Sequence, residues 1–367
     1  MLILLLACLP LAEPGIGTAT QLTFPSQFHK AGESYISPDG TKVIFQAVPT
    51  APDGGEPSEH YDMYIADLDA NPDAPAYSLH NIRRLNTPGS ANTCGWFHPS
   101  DPGLVLYATT VGPPQAQNTP GYQRATGKYR WSFPPSMRIV KQRIDSANAT
   151  PEPLVGDEAS YQAEGSWSPD GRHVIYTDLS TGDGDIYAHD LVSGTTAKVV
   201  GAPGYDGGPF FSPDGQRITW RGDRRGNDLL QLFVGELAFD DTGSITGLDR
   251  VFQLTDDEHV NWAPFWHPDG KRLVFATSRE GHRNYEVFEI EADPGTSTTP
   301  TRYGTTSRRV TEAAGFDGLP AFSQDGSFMI WTSQRGEDGS SQLFIAPFTE
   351  QPTPAPVANV GTSPHGH

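Results

Sequence analysis

Histidines and carboxylates are the residues of this sequence that could carry out chemistry, and four histidines stand out by position. His98 and His267 occupy the serine position of a recurring turn, where the imidazole is predicted to cap the loop. His29 and His259 precede predicted strands and could face a shared cavity. A lyase would need such a base, often beside a metal held by histidine and oxygen ligands. No pair of these histidines has the i, i+2 or i, i+4 spacing of a local metal site, so any metal stays unknown.

A second set of candidates recurs once in each of six repeats, at the start of a short strand. Innermost strands of a closed ring converge on its axis, so these residues would line a funnel for a peptide terminus, a small ligand or a cation. Polar loop ends are the competing structural explanation. We predict ligand contacts from Glu164, Asp206, Asn261, Asp317 and His259. The two aligned positions are Ala31, Asn92, Gln162, Asp206, Asn261 and Asp317, followed by Glu33, Cys94, Glu164, Gly208, Ala263 and Leu319.

The element that must position these residues is a tight turn centred on Ser-Pro-Asp-Gly. Proline presets φ, aspartate accepts hydrogen bonds from the amides ahead of it, and glycine takes the positive φ. We therefore interpret the recurring aspartates as structural rather than catalytic. The copies are Ser37–Gly40, His98–Asp101, Ser168–Gly171, Ser212–Gly215, His267–Gly270 and Ser323–Gly326.

Strands with an aromatic residue near their centre follow each turn, and a third and fourth strand follow in most copies. Four antiparallel strands repeated six times predict an all-β, six-bladed β-propeller. Thr20–Thr23 precedes the first blade and resembles the fourth strand Phe252–Thr255, so it is predicted to complete the sixth blade and remove an open edge. The predicted propeller spans residues 19–349, between a leader at 1–18 and a disordered Pro/Thr/Gly-rich tail at 350–367.

The second repeat contains a long insertion from Gly112 to Pro135 that is basic and aromatic. A loop of this length in a compact repeat is typically functional or disordered. We predict that it forms a flap over one face and contacts a ligand or partner, with packing alone as the alternative. Its candidate contacts are Tyr129, Arg130 and Trp131.

Composition restricts the partners and the location. The net charge of −19 repels phosphate backbones, so nucleic acid is not an expected partner. The apolar start, MLILLLACLPLA, is too short to span a bilayer and is typical of an export signal. Leu5–Cys8 resembles a lipobox, which leaves lipidation of Cys8 and a cleaved secretory signal as alternatives. Cys94 is predicted to be a small core residue.

The repeat resembles that of the TolB-like propellers over roughly residues 20 to 348. Each of the six turns is followed by an apolar-aromatic strand, and most copies also contain a strand of the Asp-Ile-Tyr type. The resemblance implies a periplasmic location and protein–protein contacts in an envelope complex. The same repeat occurs in propellers of prolyl-oligopeptidase-type peptidases and oligogalacturonate lyases. TolB itself carries an α/β domain before its propeller, and only about twenty residues precede the repeat here. The sequence contains no Gly-x-Ser-x-Gly nucleophile elbow.

These observations predict a non-enzymatic, monomeric propeller in the periplasm or outside the cell that binds an envelope protein or peptide at its channel mouth. It would need no cofactor, although a channel-bound cation stays open, and would meet the membrane only through a lipid anchor. The alternative is a polysaccharide-acting enzyme resembling oligogalacturonate lyase, or a carbohydrate-binding propeller, that uses the same mouth with His259.

Overall fold

The computed structural model describes residues 13–69, 77–114, 134, 136–146, 149–157, 160–292 and 307–349. A short 3-10 helix covers Pro52–Gly54, and no helix in these ranges is long and apolar enough to cross a membrane. The strands are β1 Thr20–Gln21, β2 Phe28–Ile36, β3 Lys42–Pro49, β4 Asp62–Asp69, β5 Ser78–Arg84, β6 Asn92–Phe97, β7 Leu104–Thr109, β8 Arg138–Arg143, β9 Glu152–Val155, β10 Gln162–Trp167, β11 His173–Asp178, β12 Asp185–Asp190, β13 Thr196–Val200, β14 Asp206–Phe211, β15 Arg217–Gly222, β16 Gln231–Phe239, β17 Ile245–Gln253, β18 Asn261–Trp266, β19 Arg272–Thr277, β20 Glu286–Glu291, β21 Ser307–Arg309, β22 Asp317–Phe322, β23 Phe328–Ser333 and β24 Gln342–Pro347.

The strands form six four-stranded antiparallel sheets, each a blade of one propeller. Blade one is β2-β3-β4-β5, and the order from the inner to the outer strand repeats around the ring. The second strand of each blade is largely buried, as in β3, where Val43, Ile44 and Phe45 have no exposed surface. The predicted fold is therefore confirmed. The sequence had not indicated β9, the short outer strand of blade two.

The N-terminal strand completes the last blade, as predicted. β1 pairs with β24, so blade six has the order β22-β23-β24-β1. The Thr23 hydroxyl accepts a hydrogen bond from the Leu343 amide at 2.9 Å. Thr255 accepts one from the Leu232 amide at the same distance in blade four. Because the two threonine contacts are equivalent, the N-terminal segment takes the place of the fourth strand of blade six. The outer edge of β24 is therefore paired.

The recurring turns have the predicted hydrogen bonds. In blade four the Ser212 hydroxyl donates to Asp214 at 2.5 Å and accepts from the Arg217 amide at 2.9 Å, while Gly215 has a φ of +70°. Histidine takes the place of serine in blades two and five. Nδ1 of His98 and Nδ1 of His267 accept turn amides at about 3.2 Å. Both histidines therefore cap turns, which confirms their predicted structural role.

The propeller axis is closed by an aromatic plug made of Tyr35, Trp96, Phe210 and Phe265. Each lies three residues before the turn proline of its blade, and neighbouring ring centroids are 4.7 Å apart for Tyr35–Trp96 and 5.3 Å for both Trp96–Phe210 and Phe210–Phe265. Such pairs contribute beyond their buried area. Serine and alanine occupy this position in blades three and six. The plug divides the axial channel into two separate cavities.

Candidate functional site

The larger cavity, here called the mouth cavity, has a volume of about 450 Å³ and lies where the inner strands begin. Tyr35 and Phe210 of the plug form part of its lining. The smaller cavity, of about 230 Å³, lies at the opposite face between the turn prolines. The volume of the mouth cavity is within the range of small-ligand pockets, roughly 300–1,000 Å³. The mouth cavity is therefore the candidate binding site, and the plug makes it blind-ended.

One residue of each inner strand enters this site through an unusual backbone conformation. All six residues five positions before the turn proline, or before Gln324 in blade six, have a positive φ, between 41° at Glu33 and 61° at Gly208. The strand register shifts at the same place in every blade, as in a β-bulge, which redirects a side chain. Five of the six carry a side chain in a conformation that favours glycine, and strain of this kind is concentrated at functional sites. The six are Glu33, Cys94, Glu164, Gly208, Ala263 and Leu319.

The mouth cavity is chemically two-sided as a result. Blades one to three supply Glu33, Cys94 and Glu164, whereas blades five and six supply Ala263 and Leu319. Burial and the neighbouring Glu164 carboxylate raise the pKa of Glu33, and burial raises the pKa of the Cys94 thiol well above its usual value. Cys94 is buried as predicted, and it also lines the cavity.

A buried ion pair between Glu164 and Arg221 forms the floor of the polar side. Arg221 Nη2 donates to Glu164 Oε1, and the two side chains are each 7 % exposed. Glu164 Oε2 accepts hydrogen bonds from the Thr177 hydroxyl at 2.7 Å, the Tyr205 hydroxyl at 2.7 Å and the Gly208 amide at 2.8 Å. A buried ion pair needs such additional hydrogen bonds to offset the desolvation of its charges. Glu164 is therefore held rigidly and its charge is compensated within the protein.

Gly208 makes room for this arrangement. A Cβ atom at this position would lie 1.7 Å from Arg221 Nη1. Because the other five blades carry side chains at the same positive φ, the backbone alone does not require glycine here. Glycine is needed because only a residue with no side chain at position 208 allows Arg221 to reach Glu164.

The predicted residues at the strand starts lie in a different environment. Asp206 and Asp317 have no exposed surface and are not in the cavity lining. Asp206 Oδ1 accepts from Trp220 Nε1 at 2.8 Å, and Asp317 Oδ1 accepts from Trp331 Nε1 at 2.7 Å. Each aspartate precedes its tryptophan by 14 residues. In both blades the second strand carries the tryptophan, so the pairing anchors the inner strand to its neighbour.

The other predicted contacts are dispersed. Asn261 is fully buried, and its amide donates to Asp257 at 2.8 Å and to Gln231 at 3.2 Å. His259 is half-buried beside this pair, outside the cavity lining. Among the predicted ligand contacts that lie in the described residues, only Glu164 lines the mouth cavity, and a binding role for the others stays a prediction. The second aligned position lines the cavity in all six blades, and the first does so in blades one and two, at Ala31 and Asn92. The flap residues Tyr129, Arg130 and Trp131, and the lipidation candidate Cys8, lie outside the described residues, although Pro134 near the flap's end does line the cavity.

Sequence reasoning missed several residues that the fold brings to the site. Arg221, Gln46 and Tyr61 come from second and third strands or the loops between them, and His60 and His282 lie at the cavity rim. Arg221 could have been detected, because the residue after the central aromatic of the second strand is charged in blade four and uncharged in the other blades. Within the described ranges no group of three or more His, Cys, Asp or Glu side chains could hold a metal ion.

Comparisons with known proteins agree with this architecture. No protein-family model matches the sequence. The chain is 38 % identical over 143 residues to dipeptidyl-peptidase 5 of Porphyromonas gingivalis, a match covering 35 % of this chain and 19 % of that protein. It is 25 % identical over 206 residues to the Tol-Pal system protein TolB of Francisella tularensis, covering 56 % of this chain and 39 % of that protein. The matches thus span well under half of these curated relatives.

A solved structure extends the likeness to nearly the whole chain. A candidate TolB from Agrobacterium tumefaciens superposes with a TM-score of 0.55 at 17 % identity, covering 90 % of this chain and 97 % of that one. Identity at this level establishes the fold alone. The predicted resemblance is confirmed to that extent: the chain has a TolB-like six-bladed β-propeller fold.

Proposed function

We propose that this protein is a non-enzymatic scaffold of the cell envelope or the extracellular space that binds a protein or peptide segment at the mouth cavity. The observation that carries the proposal is the blind-ended cavity of about 450 Å³, with ionisable groups on one side and apolar groups on the other. A concave pocket with few polar groups and perturbed pKa values is the usual form of a binding site. The similarity to TolB, a Tol-Pal system protein, supports an envelope location.

The electrostatics of the cavity favour this proposal over action on an acidic polysaccharide. An anionic sugar would lie against Glu33, and the buried Arg221 guanidinium already pairs with Glu164, which leaves only the exposed Arg283 of the lining to receive it. The net charge of −19 adds a repulsive field at longer range. A segment that brings an uncharged or positively charged end to the plug meets neither obstacle.

The test is affinity capture from an envelope extract with two matched variants as bait. Ala263→Phe would fill the mouth cavity, and Leu319 at the equivalent position indicates that a large apolar side chain fits there. Val192→Phe places the same side chain on the outer surface, where the native residue is 78 % exposed. We expect the parent and Val192→Phe to retain the same partner and Ala263→Phe to lose it, with near-UV circular dichroism confirming that all three are folded. Equal recovery by all three would refute binding at the mouth cavity.

A further inference from the structure

Glu33 is an acidic group of the mouth cavity, less exposed than the rim carboxylate Glu59, whose charge is not balanced by an ion pair. Its carboxylate accepts hydrogen bonds at 3.3 Å from the Tyr35 and Thr93 hydroxyls, and another from the Cys94 thiol. The ion pairs among the described residues do not include Glu33, whereas Glu164 has its own cation in Arg221. Neutral hydroxyl donors at this distance compensate a carboxylate weakly, because charge-assisted hydrogen bonds are shorter and stronger. Glu33 is therefore a carboxylate inside the cavity that no ion pair among the described residues neutralises, and the Arg221 guanidinium acts on it only through its longer-range field.

A second and independent feature lies beside Glu33. Gln46 lines the cavity, is 8 % exposed, and lies opposite Gly32 in the β2–β3 pairing. Its Oε1 atom is buried and has no hydrogen-bond partner within the described part of the chain. A buried acceptor left without a donor is costly, and native structures rarely retain one without a reason. A ligand that donates hydrogen bonds would satisfy both Gln46 and Glu33.

The opposite wall determines what the rest of such a ligand must be. Ala263 and Leu319 project from blades five and six, and Trp262 and Phe316 lie behind them with ring centroids 6.2 Å apart. Tyr285 continues this wall, with its ring centroid 5.9 Å from that of Phe316. The wall is apolar and aromatic apart from His282 and the exposed Arg283, so it would bury a hydrocarbon side chain.

We propose that the mouth cavity binds an organic ammonium group joined to an apolar side chain, as at the amino terminus of a peptide whose first residue is large and apolar. The ammonium group donates to Glu33 and to Gln46, and the first side chain packs on Ala263 and Leu319. This inference rests on the proposed peptide-binding function and names the part of the segment that enters. An anionic group is disfavoured by Glu33, and an ammonium group can supply the donors that Gln46 lacks.

The experiment measures binding of four synthetic tripeptide amides to the full chain by isothermal titration calorimetry, with saturation-transfer NMR for weak ligands. The probes are Leu-Ala-Ala, its N-acetylated form, Gly-Ala-Ala, and N-acetyl-Lys-Ala-Ala, which carries its ammonium group on a side chain. We expect Leu-Ala-Ala to bind at least about tenfold more tightly than its acetylated form, because a hydrogen-bonded charge is lost. Tighter binding of the lysine probe would move the ammonium source to a side chain and overturn the terminal assignment.

Variants connect the affinity to the named residues. Glu33→Gln should reduce the affinity for Leu-Ala-Ala about tenfold and abolish its preference over the acetylated form. Glu59→Gln removes a carboxylate from the exposed rim and should change affinity less than about twofold, because a solvated charge at the rim contributes little. Leu319→Asn, a residue suited to the φ of 54° at that position, should reduce the preference for leucine over glycine.

Two outcomes would overturn the inference. Equal affinity for the free and acetylated peptides, unchanged by Glu33→Gln, would show that peptides bind without an ammonium subsite and would leave the scaffold function intact. No binding of any probe would also refute the subsite, and the capture experiment with Ala263→Phe then decides the scaffold function separately.

Discussion

Replacing Gly208 with alanine should test whether the Glu164–Arg221 pair organises the floor of the mouth cavity. The added Cβ would lie 1.7 Å from Arg221 Nη1, so the guanidinium must move away from Glu164. Gly40→Ala is the matched control, because Gly40 has a φ of +73° and a Cβ added there would meet no atom within 4 Å. Both variants place alanine in a left-handed backbone conformation, and only one displaces a charged partner.

The expected magnitudes differ clearly. The left-handed conformation costs an alanine about 1–2 kcal/mol, which is the whole effect expected for Gly40→Ala. Breaking a buried ion pair costs about 3–5 kcal/mol, because it leaves a charge without compensation. Gly208→Ala should therefore reduce the free energy of unfolding by about 4–7 kcal/mol, which exceeds the control by about 3–5 kcal/mol.

Urea denaturation followed by tryptophan fluorescence measures both free energies of unfolding, with unchanged m-values as the criterion for comparing them. In a Glu164→Gln/Arg221→Met background the guanidinium is absent, so Gly208→Ala should cost only the backbone term of about 1–2 kcal/mol. Equal destabilisation by Gly208→Ala and Gly40→Ala in the parent chain would refute the argument that glycine at 208 serves the ion pair.

Two further predictions concern the blades that hold the site. Burial raises the pKa of Asp206 from 3.8 to about 6, so its contribution to stability is fully present below about pH 4 and is lost as the pH rises through about 6. Relative to Asp206→Asn, the parent's free energy of unfolding should therefore fall by about 2–3 kcal/mol between about pH 4 and about pH 7.5, and parallel profiles in pH-dependent urea titrations would contradict this. Thr23→Val removes the acceptor for the buried Leu343 amide and should cost about 1–3 kcal/mol, as should Thr255→Val in blade four. A loss confined to Thr255→Val in the same titration would show that the N-terminal strand adds little to closure.

The fold could be predicted because its determinants are local. Each turn is specified by neighbouring residues: Asp214 accepts hydrogen bonds from the Ser212 hydroxyl and the Gln216 amide. Closure of the ring by the N-terminal strand could also be predicted, because Thr20–Thr23 resembles the fourth strand of another blade. The turns depend on hydrogen bonds within a few residues, so the sequence displays them directly, whereas closure joins distant segments and could be predicted only because its strand repeats a known pattern.

The site could be predicted only in part because its contacts cross between blades. Glu164 and Arg221 are 57 residues apart, and their pairing depends on how far one strand bulges. A shift of the inner strand decides whether a side chain enters the cavity, and the alignment of repeats does not reveal that positions two residues apart, such as Asp206 and Gly208, have different environments. Asp206 therefore looked like a channel residue, although it binds the Trp220 indole inside its own blade.

Comparison of equivalent positions in the six repeats nevertheless indicates some of these contacts. Aspartate begins the inner strand in the two blades whose second strand carries tryptophan, Asp206 with Trp220 and Asp317 with Trp331. A residue pair that varies together between repeats indicates contact between the two positions. The same comparison shows aromatic residues three positions before the turn in four blades, which is the pattern of the plug.

Site-specific photocrosslinking is the most direct test that a partner segment enters the mouth cavity. A benzoylphenylalanine at His60 would lie at the cavity rim, and one at Val192 would lie on the outer surface, 78 % exposed in the native chain. Incubation with envelope extract and mass spectrometry of the products would identify the crosslinked segment. We predict that position 60 captures one defined segment, that position 192 does not, and that Ala263→Phe abolishes the product. Crosslinks that form equally at both positions, or that persist with the cavity filled, would contradict the proposed function.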